Sequence, residues 1–227
     1  MLKFIHFNTS YNVASLLQEL ETCLEKNWQD HFNKKDYNGS WQSIALRSAS
    51  GSETDIYANY NVSYYKDTAL LLGLPYIKSI LDSWQCEKEA VRLLALQPGS
   101  EIKPHRDMGC GYKDGTFRLH IPIVTNNLVS FIVGGENLKL LPGSCWYIDF
   151  NETHSIKNDG DNVRIHLIVD CIRNQWTDEL FSAHGYNLEV EKKQILDDET
   201  KLLIISELER MDNDVARNLI NEIKESK

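Results

Sequence analysis

The sequence predicts a mainly β protein: a sandwich or barrel between residues 91 and 171, with helices on either side. Three observations carry this prediction. Six short segments rich in Val, Ile, Leu, Phe and Tyr crowd between Val91 and Cys171. Turn signals separate them at Pro98-Gly99, Asn126-Asn127, Gly134-Gly135, Pro142-Gly143 and Asp159-Gly160, and closely spaced strands with such turns form antiparallel layers or barrels. Before and after this region the apolar residues recur instead at three- and four-residue steps, the period of a helix face.

In chain order, Val13, Leu16, Leu17, Leu20, Cys23, Leu24 and Trp28 place an amphipathic helix over 13–28, with Ser10 or Asn12 as its cap. The polar stretch Asn33 to Asp55 is broken by one strand, Trp41 to Leu46. Tyr76, Ile77, Ile80, Leu81 and Trp84 share one face of a second helix, with Pro75 near its start. The six strands follow: Val91 to Gln97, Phe117 to Val124, Leu128 to Val133, Leu138 to Leu141, Cys145 to Phe150 and Val163 to Cys171. Helix returns from Asp198 to Lys227, where Leu202, Ile205, Leu208, Val215, Leu219, Ile220 and Ile223 are the apolar positions. No repeat or low-complexity linker interrupts the chain. The expectation is one domain over 1–227: support at 1–90, β core at 91–172 and a helical extension at 173–227.

Composition narrows the function. With 227 residues and 42% hydrophobic content the chain can bury a full core. Its 24 basic and 33 acidic residues leave a net charge of -9, which repels phosphate backbones and anionic lipid and so argues against nucleic-acid or membrane partners. Cys23, Cys86, Cys110, Cys145 and Cys171 are odd in number and contain no C-x-x-C pair, so neither a disulfide framework nor a zinc knuckle is expected. The first residues lack the continuous apolar stretch of a signal peptide, and no apolar run approaches the roughly 20 residues of a bilayer helix. A cytoplasmic protein is the expectation, with a homodimer among its possible states.

The β region also holds the chemistry. His105 and Asp107, two apart on extended chain, point to one side. Taken alone they read equally as a surface polar pair. His154 follows the strand ending at Phe150 and precedes another short strand. Two histidines and one carboxylate on neighbouring strands are the ligand set of a non-haem Fe(II) centre, which leaves positions open for cosubstrate and dioxygen. Arg164 stands inside an apolar strand, where a guanidinium needs a buried anion. The anion is either a small dicarboxylate or a structural partner such as Asp149 or Asp170. Arg118 and His120 share one strand face, and Phe117, Leu119 and Ile121 share the other. His166 alternates with Arg164 and either lines the same cavity or packs in the core. His6, His31 and His184 show no convergent partners in the sequence.

Four motifs in order, LQPGSEIKPHRD, FRLHIPIVTNN, PGSCWYIDFNETHSIKN and NVRIHLIVDC, resemble the aspartyl/asparaginyl β-hydroxylase family of Fe(II)- and 2-oxoglutarate-dependent oxygenases. The resemblance spans about Val91 to Cys171 and implies a double-stranded β-helix, or jelly roll. It implies iron on His105 and His154, the far carboxylate of 2-oxoglutarate on Arg164, and cosubstrate support from Arg118 and His120. Animal members lack the carboxylate ligand that Asp107 supplies here, so the chain is closer to bacterial members such as the proline cis-hydroxylases. Leu94 stands where animal members place a cosubstrate-binding serine. The resemblance implies hydroxylation of an unactivated C–H bond, with 2-oxoglutarate and dioxygen converted to succinate and CO2. Asp107 argues against halogenation, which leaves that position to chloride.

A free amino acid or small derivative is the expected substrate, its carboxylate held by Arg47 or Arg106, with His166 a further candidate. The alternatives are a peptide or protein side chain, or a non-catalytic jelly-roll module that binds a small acid.

Overall fold

The computed structural model describes residues 2–58, 64–189, 198–211 and 214–225. They form two compact units, Leu2–Tyr186 and Asn187–Lys227.

The first unit is a β sandwich. Its strands are β1 (Phe4–Ser10), β2 (Gln29–Asp30), β3 (Tyr37–Asn38), β4 (Trp41–Ser48), β5 (Lys66–Asp67), β6 (Lys88–Leu96), β7 (Glu101–His105), β8 (Thr116–Val124), β9 (Val129–Val133), β10 (Glu136–Leu138), β11 (Ser144–Ile148), β12 (His154–Asn158) and β13 (Arg164–Ile172). One sheet runs β1-β11-β8-β13-β6-β4-β2, with β5 beside β4; the other runs β10-β9-β12-β7-β3. Every pairing is antiparallel. Strands β6 and β13 lie at the centre of the larger sheet, and most of their residues are buried. That is why they read as near-continuous apolar runs rather than as alternation. Between the sheets Trp41, Leu94, Leu96, Ile102, Phe131, Ile156 and Ile168 form one apolar cluster.

Helices brace this unit. Helix α1 (Val13–Leu24) is capped by Asn12, whose side chain accepts from the Ser15 amide. It ends four residues before the expected Trp28, because the Trp28 indole donates to the Cys23 carbonyl and closes the last turn from outside. Helix α2 (Ala69–Leu72) is capped by Thr68, and α3 (Pro75–Ser83) starts on Pro75. Helix α4 (Gln175–Ala183) inserts the fully buried Phe181 among Phe7, Tyr112, Phe117 and Tyr147. This aromatic contact places α4 in the β unit, which ends at Tyr186.

The second unit holds α5 (Asp198–Met211) and α6 (Asp214–Glu225), where the sequence predicts its terminal helix. No helix among the described residues is long and apolar enough to cross a membrane.

The strands differ from the sequence reading at sheet edges and inside the smaller sheet. β1, β7, β12 and the two-residue β2, β3 and β5 are not among the predicted strands, and the strand expected over Leu138–Leu141 lies earlier, as β10, with Leu140 buried outside any strand. β1 is an edge strand with a bulge between Phe7 and Ser10 and three exposed residues at its end, so its alternation is weak in sequence.

Candidate metal and cosubstrate site

Strand pairing builds the site. His105 ends β7 and His154 begins β12, and the register sets the two directly opposite each other. Their ring centroids are 4.2 Å apart. Asp107 follows two residues after His105, its amide donating to the Phe150 carbonyl at 2.9 Å. The loop beyond it is pinned to the turn that leads into β12: the Gly109 amide donates to Asn151 Oδ1 at 2.9 Å. Gly111 lies so close to that turn that a Cβ there would meet Asn151 and Asp149 at 2.2 and 2.6 Å.

One ligand atom each from His105, Asp107 and His154 lies within 4.8 Å of the others. The histidine tautomers suit coordination. His105 Nδ1 bonds the Lys103 carbonyl at 2.7 Å and His154 Nδ1 bonds the Glu152 carbonyl at 3.0 Å. A carbonyl only accepts, so each Nδ1 carries the proton and each Nε2 keeps its lone pair for a metal. Asp107 divides its oxygens, Oδ2 being 3.4 Å from the Arg118 guanidinium and Oδ1 3.6 Å from His105 Nε2. Burial pushes His154 down to about 4, so it is a neutral donor at physiological pH.

The triad opens onto a cavity of about 370 Å³ that also meets Arg92, Arg118, His120 and Arg164, with Leu94, Ile102, Phe150 and Ile156 as apolar wall. Its arginines are of two kinds. Asp170 takes Arg92 at 2.6 Å from one side and Arg118 at 2.6 Å from the other, because β13 runs between β6 and β8. Burial opposes the Asp170 charge, yet the two guanidiniums hold its carboxyl below the usual range. Arg164 is 1% exposed and has no carboxylate partner among the described residues; its Nη2 donates to His166 Nδ1 at 2.8 Å and its Nε is unpartnered. Asp149 and Asp170, the structural partners considered from sequence, are engaged elsewhere. Burial alone pushes Arg164 down to about 9, which marks a charge whose desolvation no anion offsets. It stays protonated at neutral pH. Both ring nitrogens of the buried His120 are likewise unpartnered, and burial followed by Arg164 holds its pKa well below the ordinary value.

The remaining predicted residues lie elsewhere. Arg47 pairs with Asp67 at 2.5 Å and donates to the Lys88 carbonyl, and Arg106 is exposed and donates to Thr153 Oγ1 at 2.9 Å. Neither lines the cavity. Arg47 sits next to a register shift in β4, and Arg106 points opposite to its neighbours His105 and Asp107 in extended chain. His166 lines a different cavity.

Sequence reasoning missed Arg92, although a guanidinium inside the apolar run of β6 is the same signal that singled out Arg164. It also missed His31, which lines the cavity with its ring stacked on Trp41 at 3.5 Å. Nothing local to His31 announces that contact.

The model of the aspartyl/asparaginyl β-hydroxylase family matches residues 10–174, most of the chain and all of the site. The chain belongs to this family. As an aspartyl/asparaginyl β-hydroxylase family member it is an enzyme of the dioxygenase and hydroxylase class. Solved structures agree on the fold. A prolyl hydroxylase from Trichoplax adhaerens, in complex with a hypoxia inducible factor oxygen degradation domain peptide, superimposes with TM-score 0.50 at 12% identity over 82% of this chain and 88% of that one. The non-haem α-ketoglutarate-dependent epimerase SnoN from nogalamycin biosynthesis gives TM-score 0.51 at 10% identity over 75% and 76%. At such identities the likeness is one of architecture, the double-stranded β-helix shared by these proteins.

Proposed function

We propose that this family member uses Fe(II), 2-oxoglutarate and dioxygen to hydroxylate an unactivated C–H bond of a free amino acid or a small derivative, releasing succinate and CO2. The observation that carries the reading is a buried Arg164 without a carboxylate, in the same cavity as a two-histidine, one-carboxylate triad. This donor set with open positions suits non-haem Fe(II), which supplies the oxidising chemistry when bound.

The chain's own residues do the rest. The carbonyls of Lys103 and Glu152 hold the Nδ1 protons and aim both Nε2 atoms at one point. Arg164 would hold the distal carboxylate of the cosubstrate through charge-assisted hydrogen bonds. Leu94, Ile102, Phe150 and Ile156 keep water from the reacting carbon.

Two features favour a free amino acid. A cavity of about 370 Å³ is near the lower end for small-molecule sites and has to hold cosubstrate as well. Arg92 and Arg118 share the one carboxylate of Asp170 and both reach the cavity wall, where their guanidiniums offer donors to an anion. A free α-carboxylate supplies that anion; a mid-chain residue does not.

The test is succinate formation by anaerobically iron-loaded protein on admission of air, across free amino acids and their carboxamides. One Fe(II) per chain, stimulation by an acid but not by its carboxamide, and loss of turnover in Arg164→Ala are expected. Stimulation by carboxamides or peptides as strong as by acids would remove the free amino acid from the proposal. Failure of the protein to bind iron and 2-oxoglutarate would remove the cosubstrate as well.

A further inference from the structure

A second cavity, of about 410 Å³, lies between the sheets on the other side of Arg164. Val129 and Phe131 of β9, Leu138 of β10, Leu140 and Pro142 line it, and His166 of β13 enters it from the larger sheet. Phe131 and Arg164 separate it from the triad, the guanidinium carbon lying 5.5 Å from the ring centroid.

His166 gives this cavity its chemistry. An arginine can only donate, so the 2.8 Å contact from Arg164 makes His166 Nδ1 the acceptor. In a neutral ring the proton then sits on Nε2. Burial, then Arg164 and His120, keep the ring neutral. His166 is 1% exposed and its Nε2 has no hydrogen-bond partner among the described residues. An N–H left unpaired in such surroundings costs about 1–3 kcal/mol. Val129, Phe131 and Leu138 give the cavity a carbon wall, and Thr125, Asn126, Asn127 and Lys139 supply its other polar groups.

We infer that this cavity is a second ligand site, for a compact aliphatic molecule whose carbonyl or carboxyl oxygen accepts from His166 Nε2. The inference does not depend on the substrate proposed above, since no triad residue touches the cavity. A carboxylate gains further from the Arg164 cation behind the ring, through the chain guanidinium, imidazole, ligand. A ketone gains the hydrogen bond alone.

The test titrates methyl-labelled full-length protein with 2-hexanone and, separately, with hexanoate. It follows the methyl signals of Val129, Leu138 and Leu140 against those of Leu94, Ile102 and Ile156, which line the metal-side cavity. Saturable shifts confined to the first set are expected for at least one probe. Binding by hexanoate alone assigns an acid, and binding by the ketone assigns a neutral acceptor. His166→Phe, which keeps a ring and loses the donor, weakens binding about tenfold, the size of one hydrogen bond. Leu138→Trp, which fills the cavity from β10, abolishes it. No saturable shift in the unmodified protein, or shifts at Leu94, Ile102 and Ile156 only, overturns the site. Unchanged affinity in a folded His166→Phe protein overturns the assigned chemistry.

Discussion

Two arginine environments, one strand apart, show how the sheet separates structure from function. At β6, β13 and β8, Arg92 and Arg118 close on Asp170 from both sides. Six residues back along β13, Arg164 is also buried but, among the described residues, meets a neutral histidine and the Phe131 ring in place of a carboxylate. The first cluster is mostly neutralised by the protein itself and locks three strands together. The second carries a desolvation cost that folding does not recover and a ligand can. A buried charge is therefore a functional signal only when its partners are counted, and they are visible only in three dimensions.

The contrast is sharpest when each side is broken. Asp170→Asn strands two buried guanidiniums and should cost about 3–5 kcal/mol in urea unfolding. Arg164→Met removes an uncompensated charge and should leave the metal-free protein no less stable than the unmodified one, while 2-oxoglutarate binding weakens about 100-fold, or about 3 kcal/mol, by calorimetry. Equal destabilisation by both variants would show that Arg164 is a structural ion.

Protonation probes the triad side. In the unfolded chain a histidine titrates near 6.5, but folding pushes His154 down to about 4. Between those values the unfolded state takes up a proton that the folded state refuses, so stability rises with pH through this window. The metal-free protein should hold its full stability above about pH 6.5 and lose about 3 kcal/mol from His154 as pH falls to about 4. His31, pushed down to about 4 mainly by burial, acts in the same direction. A pH series of denaturant midpoints, repeated with His154→Phe, should show a shallower slope in the variant.

Arginines outside the cavity give the smallest effects. Arg47→Ala loses a half-buried pair with Asp67 and should cost about 1 kcal/mol without changing KM for the substrate. Arg106→Ala, at an exposed position, should change stability by less than about 0.5 kcal/mol and leave KM unchanged. A raised KM in either variant would return the substrate carboxylate to the arginines that the sequence first indicated.

Legibility followed burial and sequence distance. β8, β13 and the central part of β6 were readable because buried strands are runs of β-branched and aromatic residues closed by Gly and Pro turns. β1, at a bulged edge, carries no such pattern. His105, Asp107 and His154 were found because two of them are neighbours in sequence and all fall in a strand-rich region. Their convergence needed the β7 and β12 register. Arg92 is not legible because in sequence its charge is one residue of a strand, and its burial shows only in the folded sheet; Arg47 and Arg106 turn away from the cavity because an arginine's direction depends on register shifts and loop geometry.

The sequence by itself determined the periods, the turns, the mainly β class and the residue types able to hold a metal and a dicarboxylate. These follow from local sterics and side-chain chemistry, which short windows contain. Only the tertiary structure decided which arginine lacks an anion among the described residues, that His31 and Arg92 share the metal-side cavity, and that His166 lines a second one. Those outcomes depend on pairing between segments tens of residues apart, where a single step of register moves a side chain from one face of the sheet to the other.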